Sequence, residues 1–324
     1  MKILIRRFAA VSMLAALCAI AGTVQAQGYP ARPIRLVVGY GAGGGTDMIA
    51  RLAAEYLTKE LNQTVVVENK PGAGGNIATE AVARAPADGY TLLLAVNNVT
   101  INPYIYKHMQ VDIEHDLRGI SIIAASPIVL VTNESAPFAS FKEMVDYARA
   151  NPGKISYGTP GIGTPQHLAV ELLMHMAKIK MTHVPYKGSS QSLSDLLAGH
   201  IPLVSAAINS AEPFIMANKL RGLAVADSKR VETLNNVPSI NEVVPGYEVR
   251  IWYGLMAPAK TPDAIVNTLN QALARAVANP DMHKRMKEQG YEAALTSPRE
   301  MDDDIKKDLK KWGEVIRAAG IQPQ

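Results

Sequence analysis

Apolar residues fall in two rhythms along this chain. Some form short unbroken runs, the pattern of buried strands. Others recur every three or four positions, the pattern of amphipathic helices. Ile34–Val38 reads as a strand, and Met48–Leu61 follows as a helix with Ile49, Leu52, Ala53, Tyr56 and Leu57 on one stripe. Val65–Glu68 is the next expected strand, Asn76–Arg84 a helix and Thr91–Val96 a strand. Ile120–Ala125 and Ile128–Thr132 are expected as two strands, separated at Pro127, which has no N–H to give a ladder.

The alternation continues through the middle of the chain. A helix over Ser140–Asn151, capped by Ser140, precedes a strand over Ile155–Gly158. Then come a helix over Gln166–Lys178, a strand over Thr182–Pro185, a helix over Leu193–Ala198 and a strand over Leu203–Ala207. A helix over Pro213–Ala217 and a strand over Leu220–Ala226 close this region. The last third has a strand over Ile251–Ala257 and helices over Pro262–Ala278, Pro280–Glu288 and Pro298–Ala319. Ile305, Leu309, Trp312 and Ile316 mark a core face, so the charged run Asp302–Lys311 is expected to be solvated. Strand and helix in turn predict an α/β sheet. One unit recurs: a strand, a glycine-rich loop and a helix, at 39–47 and 158–166, and more weakly at 71–76 and 186–190. Two such units in separate lobes predict a paired architecture with a cleft between them.

The amino terminus changes the context. Lys2, Arg6 and Arg7 precede a nearly unbroken apolar run from Phe8 to Val24, and Val24-Gln25-Ala26 suits a signal peptidase. Residues 1–26 therefore read as a cleaved signal peptide, which implies a periplasmic mature chain. The run is short for a membrane span. Three of the 33 basic residues leave with it, which sets 30 against 29 acidic ones, so no basic field argues for nucleic acid or an anionic membrane. The single cysteine, Cys18, leaves too. The mature chain has no disulfide, metal thiolate or cysteine nucleophile to offer. Roughly 300 residues can bury one large core or two medium ones.

Helix starts following glycines are where the candidate chemistry lies. Their first N–H groups are unpaired, the helix dipole adds positive charge, and glycine lets an anion approach the backbone. Gly39, Gly41 and Gly44 have the dinucleotide-binding spacing, and Glu68 stands where a ribose-binding acid would. Against that reading, cofactor pools outside the cytoplasm are scarce, and no motif places a hydride-transfer acid or base. Glu68 also runs straight into a second glycine-rich loop. No Gly-x-Ser-x-Gly elbow or His-Glu-x-x-His motif is present, and the seven histidines are scattered. The expectation is a protein with no catalytic residues, no metal and no cofactor.

A set of ordered motifs carries a family resemblance. They are Tyr29-Pro-x-Arg-Pro-Ile-Arg35, Gly43-Gly-Gly-Thr-Asp47, Val65-Val-Val-Glu-Asn69, Pro71-Gly-Ala-Gly-Gly-Asn76 and Ala87-Asp-Gly-Tyr90. Val184-Pro-Tyr-Lys-Gly-Ser189, Lys219-Leu-Arg221, Val237-Pro-Ser239, Pro245-Gly-Tyr-Glu248 and Trp252-Tyr-Gly254 follow in order. Over essentially the whole mature chain, this pattern resembles the Bug family of extracytoplasmic solute-binding receptors of tripartite tricarboxylate transporters.

The resemblance implies an α/β, two-lobed, type II-like periplasmic binding fold with a ligand cleft between the lobes. Lobe one would be 27–126 plus 250–324, and lobe two 127–249. It implies a monomer that closes on a small organic carboxylate and partners the membrane subunits of the transporter. Tyr40, Gly41, Ala42, Gly44 and Asp47 would frame one end of the ligand, with Asp47 bracing the loop since like charges repel. Thr159, Gly161, Thr164 and His167 would frame the other, although a capping or packing role suits His167 equally. Tyr186 and Asn209 are further candidates, with Lys187 and Ser189 behind them. Many relatives carry an Asp-Asn pair where this chain has Ala206-Ala207. That departure points to a ligand without an amine and with an apolar middle, such as an aromatic or aliphatic dicarboxylate. The alternatives are a ligand-sensing receptor that feeds a signalling partner and an exported α/β enzyme.

Overall fold

The computed structural model describes residues 28–323, so the expected leader at 1–26 lies outside the described residues. Ten strands form the sheet: β1 Ile34–Val38, β2 Val65–Asn69, β3 Thr91–Val96, β4 Leu117–Thr132, β5 Ser156–Thr159, β6 Thr182–Pro185, β7 Leu203–Ala207, β8 Arg221–Val225, β9 Arg250–Pro258 and β10 Glu292–Ala293. Their order is β2-β1-β3-β9-β4-β7-β5-β6, with β8 and β10 also pairing with β4. The neighbours β1/β2, β1/β3, β5/β6 and β5/β7 run parallel, and every pairing of β4 and β9 is antiparallel.

The expected break at Pro127 does not occur. β4 is one strand of 16 residues, and all but Arg118 are buried. Residues Leu117 to Pro127 pair with β9, while Ile128 to Thr132 pair with β7 and β8. Pro127 sits opposite Arg250, the last rung before the partner changes. A residue with no N–H costs little there, because the ladder is being handed over at that point. Next to it, Ile128 O accepts from Ala226 N at 2.7 Å, and Ala226 O accepts from Val249 N at 2.9 Å. The chain thus crosses between the two halves of the sheet at β4 and again around 226–250. This is a two-lobed α/β fold.

Register places the crevice. Val96 lies opposite Tyr253, Tyr253 opposite Ala124, and Ala207 opposite Ile128. The carboxyl ends of the parallel strands in both lobes therefore converge on the middle of β4. In open α/β sheets that end is where ligands bind.

Helix starts and stops follow local chemistry. Ser140 caps Phe141–Ala150 by accepting from Glu143 N, as expected. Ser297 and Glu300 form a reciprocal capping box at the start of Pro298–Ala318. Helix Gly45–Leu61 begins three residues before the expected Met48, because its first turn carries no apolar stripe to mark it. Helix Asn98–Ile105 is unexpected: Thr100, Asn102 and Pro103 are weak helix formers, and burial of Val99, Ile101 and Ile105 holds it instead. Ile208–Met216 starts at the end of β7 and not at Pro213, which lies inside it.

The largest fully buried side chains include Trp312, Tyr157, Tyr247 and Phe141. In Pro298–Ala318 the predicted stripe is buried, and Asp303, Lys306, Lys307 and Lys310 are on the solvent side as expected. Two acids of that run do more. Asp302 accepts from Gly119 N at 2.7 Å and Asp308 from Trp252 Nε1 at 2.9 Å, fastening the helix to β4 and β9.

Replacing Trp312, 1% exposed, with alanine should cost about 3–5 kcal/mol of unfolding free energy. Lys306→Ala on the solvated face should stay within about 0.5 kcal/mol. Urea titrations of both variants check the contrast.

Candidate functional site

The first loop runs from the end of β1 into helix Gly45–Leu61. Gly39 is fixed by packing: a Cβ there would sit 2.7 Å from Gly75 Cα, so this glycine lets the 72–75 turn lie against the loop. At Gly41 and Gly43 a Cβ would meet nothing within 4 Å, and at Gly44 it would meet only Gly41 O at 3.8 Å. Gly41, Ala42, Gly43 and Gly44 are exposed. No side chain caps the helix start at Gly44. Its first-turn N–H groups are left for water or a ligand.

Asp47 braces this loop from behind. It is 2% exposed; Oδ2 accepts from Gly43 N and Arg51 Nε, both at 2.8 Å, and Oδ1 from Asn69 Nδ2 at 2.9 Å. The Arg51 guanidinium, with help from the Gly43 N–H and Asn69, holds the carboxyl down at about 2 against the opposing effect of burial. Asn69 Nδ2 also donates to Tyr40 O at 3.0 Å. Tyr40 donates its hydroxyl to Gly74 O at 3.4 Å, and burial pushes its pKa well above the usual phenol range. From near the carboxyl-terminal end of the chain, Tyr291 donates to Gly45 O at 2.7 Å. Glu68, which the dinucleotide spacing would give to a ribose, is paired with Arg35 at 3.3 Å and Lys70 at 2.9 Å.

The second loop leaves β5 at Thr159 and enters helix Pro165–Ala177. Its chemistry differs. Thr164 Oγ1 accepts from His167 N at 3.3 Å and donates to Gly161 O at 2.8 Å, so this helix is capped by its own chain. His167 is 3% exposed, and its Nδ1 accepts from Gly163 N at 3.2 Å while Nε2 lies 3.3 Å from Glu171 Oε1. The ring stacks on His183 with centroids 3.9 Å apart, and Tyr157 also stacks on His183 at 5.0 Å. Burial, and then the neighbouring His167, depress His183 to about 3. Its Nε2 lies 2.7 Å from Thr159 Oγ1, which also accepts from Gly161 N at 3.3 Å.

The predicted residues thus form two clusters. Tyr40, Gly41, Ala42, Gly44 and Asp47 gather with Asn69 and the 72–75 turn. Thr159, Gly161, Thr164 and His167 gather with His183, and Tyr186 lies beside them, its ring 3.0 Å from where a Cβ at Gly158 would stand. Tyr186 donates to Asp195 at 2.8 Å, and burial followed by that carboxylate raises it to about 12. The second cluster touches helix Asn98–Ile105 through Gly163, where a Cβ would sit 3.2 Å from Ile105. Asn209 stands apart, donating to Gln289 O at 3.4 Å and packing on Gly290. Lys187 is exposed, and Ser189 opens a helix with no side-chain cap. A cavity of about 450 Å³ is lined by Pro127, Ile208, Lys287, Gly290 and Tyr291 among others, and includes no residue of either glycine loop.

Sequence reasoning gave no role to Asn69, Tyr291 or the Gly39–Gly75 contact. Asn69 ends a motif noted in the sequence, which was a signal of a kind. Tyr291 lies 246 residues from Gly45, and nothing local marks it. Among the described residues, no cluster of three or more His, Cys, Asp or Glu could hold a metal ion, and no helix is long and apolar enough to cross a membrane.

Comparison with known proteins adds family context. The family model described as the tripartite tricarboxylate transporter family receptor matches residues 49–321. A protein of R. palustris, Rpa4515, solved with adipate, is 36% identical with a TM-score of 0.79, covering 91% of this chain and 100% of that one. The periplasmic binding protein BugD is 34% identical with a TM-score of 0.76, covering 91% and 100%. MatC of Rhodopseudomonas palustris, solved with bound malate, is 27% identical with a TM-score of 0.75, covering 89% and 100%.

The Asp47 network generates a prediction with a defined sign. The folded carboxyl titrates below its ordinary value, so its stabilisation is present above about pH 4 and fades as pH falls toward 2. Asp47→Asn should cost about 1–3 kcal/mol at neutral pH by leaving charge-assisted partners unmet. The gap from wild type should shrink in denaturation curves taken near pH 3.

Proposed function

Because the chain belongs to the tripartite tricarboxylate transporter receptor family, whose Bug members are periplasmic solute-binding proteins, we propose that it captures a small organic dicarboxylate with an apolar middle and delivers it to the transporter's membrane subunits. The observation that carries this reading is the uncapped, glycine-lined start of helix Gly45–Leu61 at the crevice end of the sheet. An anion there meets backbone N–H groups and the positive end of a helix dipole, with no side chain competing for them.

Lobe one is assigned to 27–126 plus 250–324 and lobe two to 127–249, hinged where β4 and the 226–250 crossing join them. The backbone of Tyr40, Gly41, Ala42 and Gly44 receives one carboxylate. The loop of Thr159, Gly161 and Thr164, with Tyr186, receives the other end. Asp47 and His167 support the loops from behind, and Asn209 acts at the seam between lobes. Closure removes water from the carboxylates, where each charge-assisted hydrogen bond contributes about 1.5–3 kcal/mol. β7 ends in Ala206 and Ala207, which offer no polar side chain to an amine or hydroxyl. Adipate and malate in the related structures fit the same ligand class, and the alanines favour the less polar of the two.

Adipate and terephthalate should raise the melting temperature, as about 2.7 kcal/mol of added stability at a hundredfold excess over Kd requires. Aspartate and glutamate should bind more weakly; tighter binding of either, or no shift with any carboxylate, would sink the reading. Gly44→Phe should abolish the shift while the unliganded melting temperature is preserved, since open space surrounds that position. Unchanged affinity in Gly44→Phe would remove the first loop from the site.

A further inference from the structure

His167 is buried and makes no direct approach to the exposed loop surface, yet it touches the glycine through which the second cluster meets lobe one. Gly163 has a left-handed backbone with φ +73°, it packs on Ile105 of lobe one, and its N–H donates to His167 Nδ1 at 3.2 Å. A backbone N–H can only donate, so Nδ1 is the acceptor and the ring proton sits on Nε2, facing Glu171 Oε1 at 3.3 Å. Tyr157 donates to the same Glu171 oxygen at 2.7 Å and fixes the carboxylate in place. We propose that neutral His167 is a positioning residue that holds the second loop in its ligand-competent shape through Gly163, and that protonation of Nδ1 releases the loop and weakens ligand binding as pH falls.

The physical argument is a donor–donor conflict. A proton on Nδ1 would point at the Gly163 N–H, and the bond would be replaced by repulsion at the contact between lobes. The titratable groups facing the ring are Glu171 on its own helix, Tyr157 on β5 and His183 on β6. The Glu171 contact with Nε2 is kept whether or not Nδ1 carries a proton. His183, stacked at 3.9 Å, is held neutral down to about pH 3 by burial and by His167. Asparagine can place an amide oxygen where Nδ1 stands, which keeps an acceptor but cannot titrate.

The test has two arms, and only the second rests on the carboxylate reading. In the first, the Gly163 amide resonance of the unliganded protein is followed from about pH 7.5 to 5. It should titrate in wild type, stay flat in His167→Asn and titrate normally in His175→Asn, a control on the exposed face of the same helix. In the second, the Kd for adipate should rise roughly fivefold over that range in wild type, the scale of one lost hydrogen bond, and remain level in His167→Asn. A Gly163 resonance insensitive to pH in wild type, or the same titration in His167→Asn, overturns the proposal. If adipate binds at no pH while the resonance titrates as expected, the loop device stands and the ligand assignment fails. A pH-dependent Kd that persists in His167→Asn assigns the effect elsewhere and also overturns it.

Discussion

The backbone of β4 is the constraint on which the rest of the structure depends. Each half of this strand must satisfy a different set of partners, β9 and β10 on one side and β7 and β8 on the other. A buried peptide group without a partner is costly, so neither lobe can shift along the strand by a residue without losing its ladder. That fixes the register, and the register brings the ends of the parallel strands in both lobes to one crevice. The change of partner falls at Pro127, where a donor is missing by chemistry. Bending there breaks no N–H bond.

Next to that point the crossing segments are tied by charge. Asp227 is fully buried, and Arg250 reaches both its oxygens, at 2.8 and 2.6 Å. Arg250 also meets Glu292 at 3.4 Å. A buried pair of this kind gives little net stability, yet removing one partner strands the other charge. Its effect is to set where the two crossing segments lie. Further out, Lys287 pairs with Glu232 at 3.1 Å, with both side chains more than half exposed, so this contact is weak and easily exchanged with water.

The two glycine loops share a sequence pattern and differ in what the fold leaves free. In the first, Asp47 takes up the Gly43 N–H and the helix start stays uncapped. In the second, Thr164 caps the helix and His167 takes the Gly163 N–H. The first loop therefore leaves more unpaired backbone donors, and the second depends more on side chains behind it. Glycine content alone could not distinguish these cases. The difference lies in which donors are already satisfied.

By itself the sequence determined the alternation of strands and helices, the two glycine loops, the Ser140 cap and the stripe that buries Trp312. Each follows from contacts within a few residues: apolar periodicity, turn chemistry or a side chain reaching its own helix end. Family motifs extended this to the kind of receptor. Only tertiary structure decided the rest. Pro127 stays in a strand because its partner changes there, and Asn98–Ile105 is helical because burial outweighs poor propensity. His167 turns inward because His183, from another strand, stacks on it, and Tyr291 reaches Gly45 across most of the chain. These outcomes depend on partners brought together by the sheet, and no local pattern encodes which distant group will arrive.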